Sequence, residues 1–92
     1  MYRIIDDRCT GKTSRLMLLA KETNSIIACS NPYDMRDKAL GYGITGITFV
    51  SYGDLLTSDK CRGHKVLIDE LESFVQYSLS ARMIGYTISL DD

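Results

Sequence analysis

A glycine, a lysine and a threonine stand together near the start of the chain, at Gly11, Lys12 and Thr13. An apolar run precedes them at residues 2–5, and a helix-forming sequence follows them. In a strand–loop–helix unit of this kind, backbone N–H groups of the loop and of the helix N-terminus converge on one small space, where the helix dipole favours an anion. Lys12 adds a mobile positive charge, and Thr13 offers a hydroxyl to a magnesium ion. The pattern predicts a phosphate site; a turn that merely contains these three residues is the alternative.

A pair of carboxylates forms the second candidate. Asp69 and Glu70 follow the apolar run Val66–Ile68, which is typical of a buried strand. Ligands of parallel α/β sheets bind at the carboxyl ends of the strands, so we expect this pair and Lys12 at the same edge. The alternative is a strand that simply ends before a helix with acids in its first turn. Together with the upstream Gly-Lys-Thr, the pair predicts a nucleotide–magnesium site.

Hydrophobic patterning predicts the elements that must position these residues. Strands are expected at residues 2–5, 26–29, 46–51, 65–70 and 85–90. Helices are expected at 13–22, 32–40, 52–56 and 71–78. Uninterrupted apolar runs are typical of strands covered on both faces, so the alternation predicts an α/β fold, a three-layer parallel five-stranded sheet.

Size and composition limit the options. The chain has 92 residues, which predicts a single domain over 1–92 with a small core that a protein partner or a homo-oligomer would help to stabilise. It is 45% hydrophobic and 25% charged with a net charge of −1, so no broad attraction to nucleic acid is built in. Cys9, Cys29 and Cys61 show no Cys-x-x-Cys spacing, which disfavours a disulfide framework or a zinc site. With no signal peptide and no membrane-length apolar run, we expect a cytoplasmic protein without a membrane partner.

Both motifs resemble those of the P-loop NTPases. Thr10-Gly11-Lys12-Thr13 resembles the end of the Walker A motif, and residues 66–70 resemble the Walker B motif. The glutamate directly after the aspartate, and the extra strands between the motifs, resemble the additional-strand, catalytic-glutamate division that includes RecA-like proteins and helicases. This resemblance implies a sheet order of 5-1-4-3-2. The chain is also similar to short P-loop proteins encoded by bacteriophages of Gram-positive hosts, which would place it in the host cytoplasm.

The resemblance implies a role for each site residue. Lys12 would contact the β- and γ-phosphates, Thr13 and Asp69 would hold Mg²⁺, and Glu70 would orient and deprotonate the attacking water. Ser89, ahead of Thr87, would sense the γ-phosphate, although strand alternation alone also predicts a polar residue there. The residues around the phosphate would be Cys9, Thr10, Gly11, Lys12, Thr13 and Ser14.

Two positions depart from the family pattern. Asp6 and Cys9 stand where Walker A carries glycines, and glycine there permits close phosphate approach, so we expect weaker binding. The leading hypothesis is binding of ATP, ahead of GTP, with Mg²⁺ and slow hydrolysis. One alternative is a non-catalytic, phage-type protein-binding or inhibitory module. Another is a nucleic-acid-stimulated ATPase, which the basic stretch Lys60, Arg62, His64 and Lys65 would serve, unless that stretch is a solvated loop.

Overall fold

The computed structural model describes residues 2–5 and 11–89. In chain order its elements are α1 (Lys12–Thr23), β1 (Ile26–Cys29), α2 (Pro32–Gly41), β2 (Phe49–Ser51), α3 (Tyr52–Thr57), a 3-10 helix (Asp59–Cys61), β3 (Val66–Ile68) and α4 (Leu71–Ser78).

The strands form a parallel sheet in the order β2-β1-β3. Ile27 of β1 lies opposite Phe49 of β2 and Leu67 of β3. The next residue, Ala28, lies opposite Val50 and Ile68. Ile27, Ala28 and Cys29 are all buried, because a central parallel strand is covered on both faces. β1 is therefore the central and most deeply buried strand of the sheet.

Local capping explains where the helices after β1 and β2 begin. Asn31 precedes Pro32, and its side-chain oxygen accepts hydrogen bonds from the N–H groups of Tyr33 and Asp34 at 3.1 and 3.3 Å. Ser51 caps α3 in the same way, by accepting from the N–H of Asp54 at 3.0 Å. Each of these helices thus begins within a few residues of a strand's carboxyl end. No helix of the described part of the chain is long and apolar enough to cross a membrane.

The main cluster of buried side chains lies on one face of the sheet. Because side chains alternate along a strand, Ile27 and Cys29 point to the same face, where Phe49 joins them. α1 and α2 cover this face with buried methionines and alanines, and the resulting cluster comprises Met17, Ala20, Ile27, Cys29, Met35, Ala39, Ile44 and Phe49. The opposite face carries Ala28 and Val50.

The prediction of a five-stranded sheet with the order 5-1-4-3-2 is wrong. Within residues 2–5 and 11–89 the sheet has three strands, and residues 26–29 lie at its centre, whereas the expected order would put them at an edge. β1 pairs with both β2 and β3, so the strand that carries the candidate Walker B residues neighbours β1 directly. Strand propensity indicates which segments can pair, but it does not fix which segments become neighbours.

Two of the expected strands are not strands. Residues 2–5 have no regular structure. Tyr2 and Ile5 are exposed, which shows that this apolar run is not packed into the sheet. Residues 85–89 also lack strand structure; Leu90 lies outside the described residues. Just before this segment, the side chain of Gln76 binds the backbone: its NH₂ group donates to the carbonyl of Ala81 and its oxygen accepts from the N–H of Met83, each at 2.8 Å.

Candidate functional site

The carboxyl edge of the sheet brings the two sequence motifs together. Lys12 opens α1, and its ammonium Nζ lies 3.8 Å from Oε1 of Glu70. The Lys12 side chain is 29% exposed and that of Glu70 is 59% exposed, so the pair is accessible to solvent and to a ligand. Residues 58 positions apart in sequence therefore meet at one place.

Gly11 sets the geometry of the start of α1. It has a φ of 80°, a left-handed conformation that glycine adopts without the strain a Cβ would bring. Its carbonyl accepts from the N–H of Arg15 at 3.1 Å and from the hydroxyl of Ser14 at 3.0 Å. Ser14 thus uses its hydroxyl proton on the helix itself, whereas Thr13 is half-buried in the same turn. Of the predicted phosphate ligands on α1, Lys12 is the one that the structure shows in contact with the Asp-Glu pair.

Asp69 lies at the end of β3 and is held by the sheet. Its backbone N–H donates to the carbonyl of Ala28 on β1 at 2.9 Å. Burial raises the pKa of the Asp69 carboxyl above its ordinary value, and the negative charge of Glu70 adds to the rise, while Lys38 and Lys12 oppose it. A carboxylate in this state is stabilised by any additional positive charge placed beside it.

Glu70 adopts a left-handed backbone conformation, with φ 58° and ψ 74°. A non-glycine residue in this region is strained by about 1–3 kcal/mol and persists only where its surroundings hold it. The hydroxyl of Tyr52 supplies such a restraint, since it donates to the carbonyl of Asp69 at 2.5 Å and lies 3.3 Å from the carbonyl of Glu70. Tyr52 therefore fixes the corner that presents both carboxylates.

Sequence reasoning missed this role of Tyr52. Its only local signal is an aromatic residue directly after a strand, and its hydrogen-bond partner lies 17 residues away. Burial raises the pKa of Tyr52 to about 12, with a further contribution from the charge of Asp69. The phenol consequently remains a hydrogen-bond donor throughout the physiological range. Burial likewise raises the pKa of the neighbouring Cys29 to about 11, which keeps this thiol protonated and chemically inert.

Other predicted site residues are not brought to this edge by any contact that the structure shows. Ser89 and Thr87 are exposed in the segment without strand structure. Arg62 forms an exposed ion pair with Asp59, at 3.2 Å, within the basic stretch. The predicted phosphate ligands Cys9 and Thr10, and the departure at Asp6, lie outside the described residues.

Asp69 and Thr13 are the residues predicted to hold Mg²⁺. Among the described residues, no group of three or more His, Cys, Asp or Glu side chains is arranged to hold a metal ion by itself. Mg²⁺ does not require such a group, because it commonly takes one or two carboxylates and completes its shell with phosphate oxygens and water. The Asp69 carboxylate and the Thr13 hydroxyl carry oxygen atoms of the kind that Mg²⁺ takes as ligands.

Comparison with protein-family models, with curated proteins and with solved structures finds no match for this chain.

Proposed function

We propose that the carboxyl edge of the sheet binds a nucleoside triphosphate with Mg²⁺, ATP in preference to GTP, and hydrolyses it slowly. The observation that carries this proposal is the 3.8 Å contact between the Lys12 ammonium and the Glu70 carboxylate, which joins the start of α1 to the Asp-Glu corner. An ammonium at a helix N-terminus and two carboxylates after a strand are the groups that phosphate and Mg²⁺ need.

Lys12 has to change partners when the ligand arrives. Its ion pair with Glu70 is partly exposed, and such pairs contribute about 0–1 kcal/mol, so a triphosphate with several negative charges competes for the ammonium effectively. The exchange frees the Glu70 carboxylate. Glu70 can then accept a proton from a water molecule as that water attacks the γ-phosphorus and the bond to the bridging oxygen breaks.

Asp69 and Thr13 would hold the metal ion. Mg²⁺, when bound, neutralises negative charge on the phosphate oxygens. The role of Asp69 is to provide a carboxylate whose ionised form gains from a nearby cation, because its pKa is raised by burial and by Glu70. Tyr52 keeps this carboxylate and that of Glu70 in a fixed relation through its hydroxyl.

Calorimetric titration with Mg²⁺ and ATP tests the proposal. We expect Lys12→Ala to weaken binding by about tenfold or more, since hydrogen bonds to charged groups contribute about 1.5–3 kcal/mol. Lys21→Ala is the matched control, because Lys21 lies in the last turn of the same helix. Glu70→Gln should retain binding and lose turnover. Equal affinity in wild type and Lys12→Ala, or no saturation of wild type at millimolar ATP, would overturn the proposal.

A second candidate, a non-catalytic protein-binding module, is favoured by the outer surface of α2. Tyr33 is 75% exposed there, and Leu40 and the neighbouring Tyr42 are exposed as well. Large apolar side chains grouped on a surface are typical of protein contacts. On this reading, Tyr33→Ser with Leu40→Ser would abolish biological activity while Lys12→Ala left it intact; the converse result would exclude the module.

A further inference from the structure

A cleft of about 620 Å³ opens beside the Asp-Glu corner. Its lining includes Ser30 after β1, Ser51 at the end of β2, and Glu72, Ser73 and Tyr77 of α4. This volume lies in the range of small-molecule sites, about 300–1,000 Å³. None of the sequence motifs predicts it, because its walls come from three separate parts of the chain.

The topology of the sheet explains why the cleft forms here. From β1 the chain crosses to β2 on one side, and from β2 it crosses back over β1 to β3. Right-handed crossovers, the rule for parallel strands, place α2 and α3 on opposite faces. The connections that leave β1 and β2 consequently diverge, and a crevice at such a point is where ligands bind in open α/β sheets.

The lining has the chemistry of a site for an uncharged ligand. None of the described residues that line the cleft is a lysine, arginine or histidine, and Glu72 supplies a carboxylate. Phosphate groups are therefore disfavoured inside it, whereas ligand hydroxyl or amino groups that donate hydrogen bonds are favoured. Ser30, Ser51 and Ser73 add hydroxyls that can donate or accept.

Tyr77 offers a fixed aromatic face at the cleft. Its ring is 5.9 Å from that of Tyr52, and its hydroxyl packs against Gly53, where an added Cβ would lie 2.8 Å from it. The residue is nevertheless 60% exposed, so a face of the ring is open to a ligand. Met83, held by Gln76 through its N–H, contributes a second apolar contact.

We propose that this cleft binds the nucleoside part of the nucleotide, with the base against Tyr77 and the ribose hydroxyls donating to Glu72 alongside the hydroxyl of Tyr86, which already donates to Oε1 of Glu72. Bases stack on aromatic side chains, and a carboxylate commonly receives ribose hydroxyls. Glu70, which contacts Lys12, is the N-cap residue of α4, and Glu72, which lines the cleft, lies in the first turn of the same helix. The triphosphate would therefore have to pass around the N-terminus of α4 to reach Lys12. The inference rests on the proposed function, because it assigns the uncharged part of the same ligand.

Adenosine, which lacks phosphates, isolates the cleft in a titration followed by NMR. We expect saturable binding by wild type, about tenfold weaker binding by Tyr77→Ala, and no binding by Ser73→Leu, which fills the cleft from an exposed helical position. Tyr33→Ala is the matched control for loss of an exposed tyrosine. 2′,3′-Dideoxyadenosine should bind wild type more weakly than adenosine, and this difference should disappear in Glu72→Ala.

The failure of this inference is distinguishable from failure of the proposed function. Lys12→Ala should leave adenosine binding unchanged while it weakens binding of Mg²⁺-tripolyphosphate. If adenosine does not saturate wild type, or binds Ser73→Leu as well as wild type, the nucleoside does not occupy the cleft, even when ATP binding depends on Lys12. If instead Lys12→Ala binds ATP as tightly as wild type, the proposed triphosphate site is wrong, and the assignment of the cleft to the same ligand is wrong with it.

Discussion

The two parts of the molecule that flank β1 are built in different ways. α1 and α2 bury Met17, Ala20, Met35 and Ala39 against the sheet. The C-terminal segment, residues 71–89, begins with α4, and α4 contains no buried residue. α4 is held instead by aromatic contacts such as that of Phe74 with Tyr52, whose ring centroids are 5.4 Å apart at 71°.

The buried side chains that stabilise the fold are therefore largely separate from the residues of the proposed sites. The buried layer supplies most of the apolar contacts, whereas Glu70, Glu72 and Tyr77 stand at or near the more exposed helix. Elements with few buried contacts open at lower free-energy cost, and ligand-binding regions are commonly drawn from them. Tyr52 connects the two parts, since it is buried, follows β2 directly and hydrogen-bonds the residues that lead into α4.

The largest expected contrast is between two isoleucines. Ile27 is fully buried in the central strand, so Ile27→Ala should lower the free energy of unfolding by about 2–5 kcal/mol through lost burial and the cavity left behind. Ile84 is 94% exposed, and Ile84→Ala should change it by less than about 0.5 kcal/mol. Urea denaturation measures both. Similar losses in the two variants would mean that the C-terminal segment contributes to the core after all.

A smaller effect is expected from the residue that joins the two parts. Tyr52→Phe keeps the ring and removes the hydroxyl that binds the carbonyls of Asp69 and Glu70, which should cost about 0.5–1.5 kcal/mol of folding free energy. Tyr33→Phe removes an exposed hydroxyl and serves as the control.

The same pair of variants distinguishes structure from site geometry. If Tyr52 positions the Asp-Glu corner, Tyr52→Phe should weaken binding of Mg²⁺-ATP more than its stability loss explains, at temperatures where the variant is fully folded. Unchanged binding in a folded Tyr52→Phe variant would restrict Tyr52 to a packing role.

The smallest expected effect is a pH dependence of the folding stability that arises from Asp69. The folded protein raises the pKa of this carboxyl above its unfolded value of about 3.9, so the stability it contributes is fully present below that value and is lost as the pH rises through the folded pKa. Asp69→Asn should therefore be more stable than wild type at pH 7, and the gain should shrink towards pH 3. Thermal unfolding across this range measures it; a less stable variant at pH 7 would show that Lys12 and Lys38 outweigh burial.

Much of the local structure could be predicted because its causes are local. Asn31 and Pro32 specify the start of α2 through a cap and a fixed φ, and the structure confirms both. The apolar spacing of residues 71–78 predicts α4, which the structure shows over the same range. The strands expected at residues 2–5 and 85–90 are not formed in the described residues. A strand-forming segment also needs a free sheet edge to pair with and a face to cover.

The candidate site also combines features that the sequence determines with features that depend on tertiary structure. The residue types at Lys12, Asp69 and Glu70, and the chemistry they offer, were determined by the sequence alone. Tertiary structure decided the order β2-β1-β3, the restraint of Glu70 by Tyr52, and the cleft between the ends of β1 and β2. The physical reason is range: caps and periodicity act within a few residues, whereas strand neighbours and cleft walls depend on which distant surfaces pack best against each other.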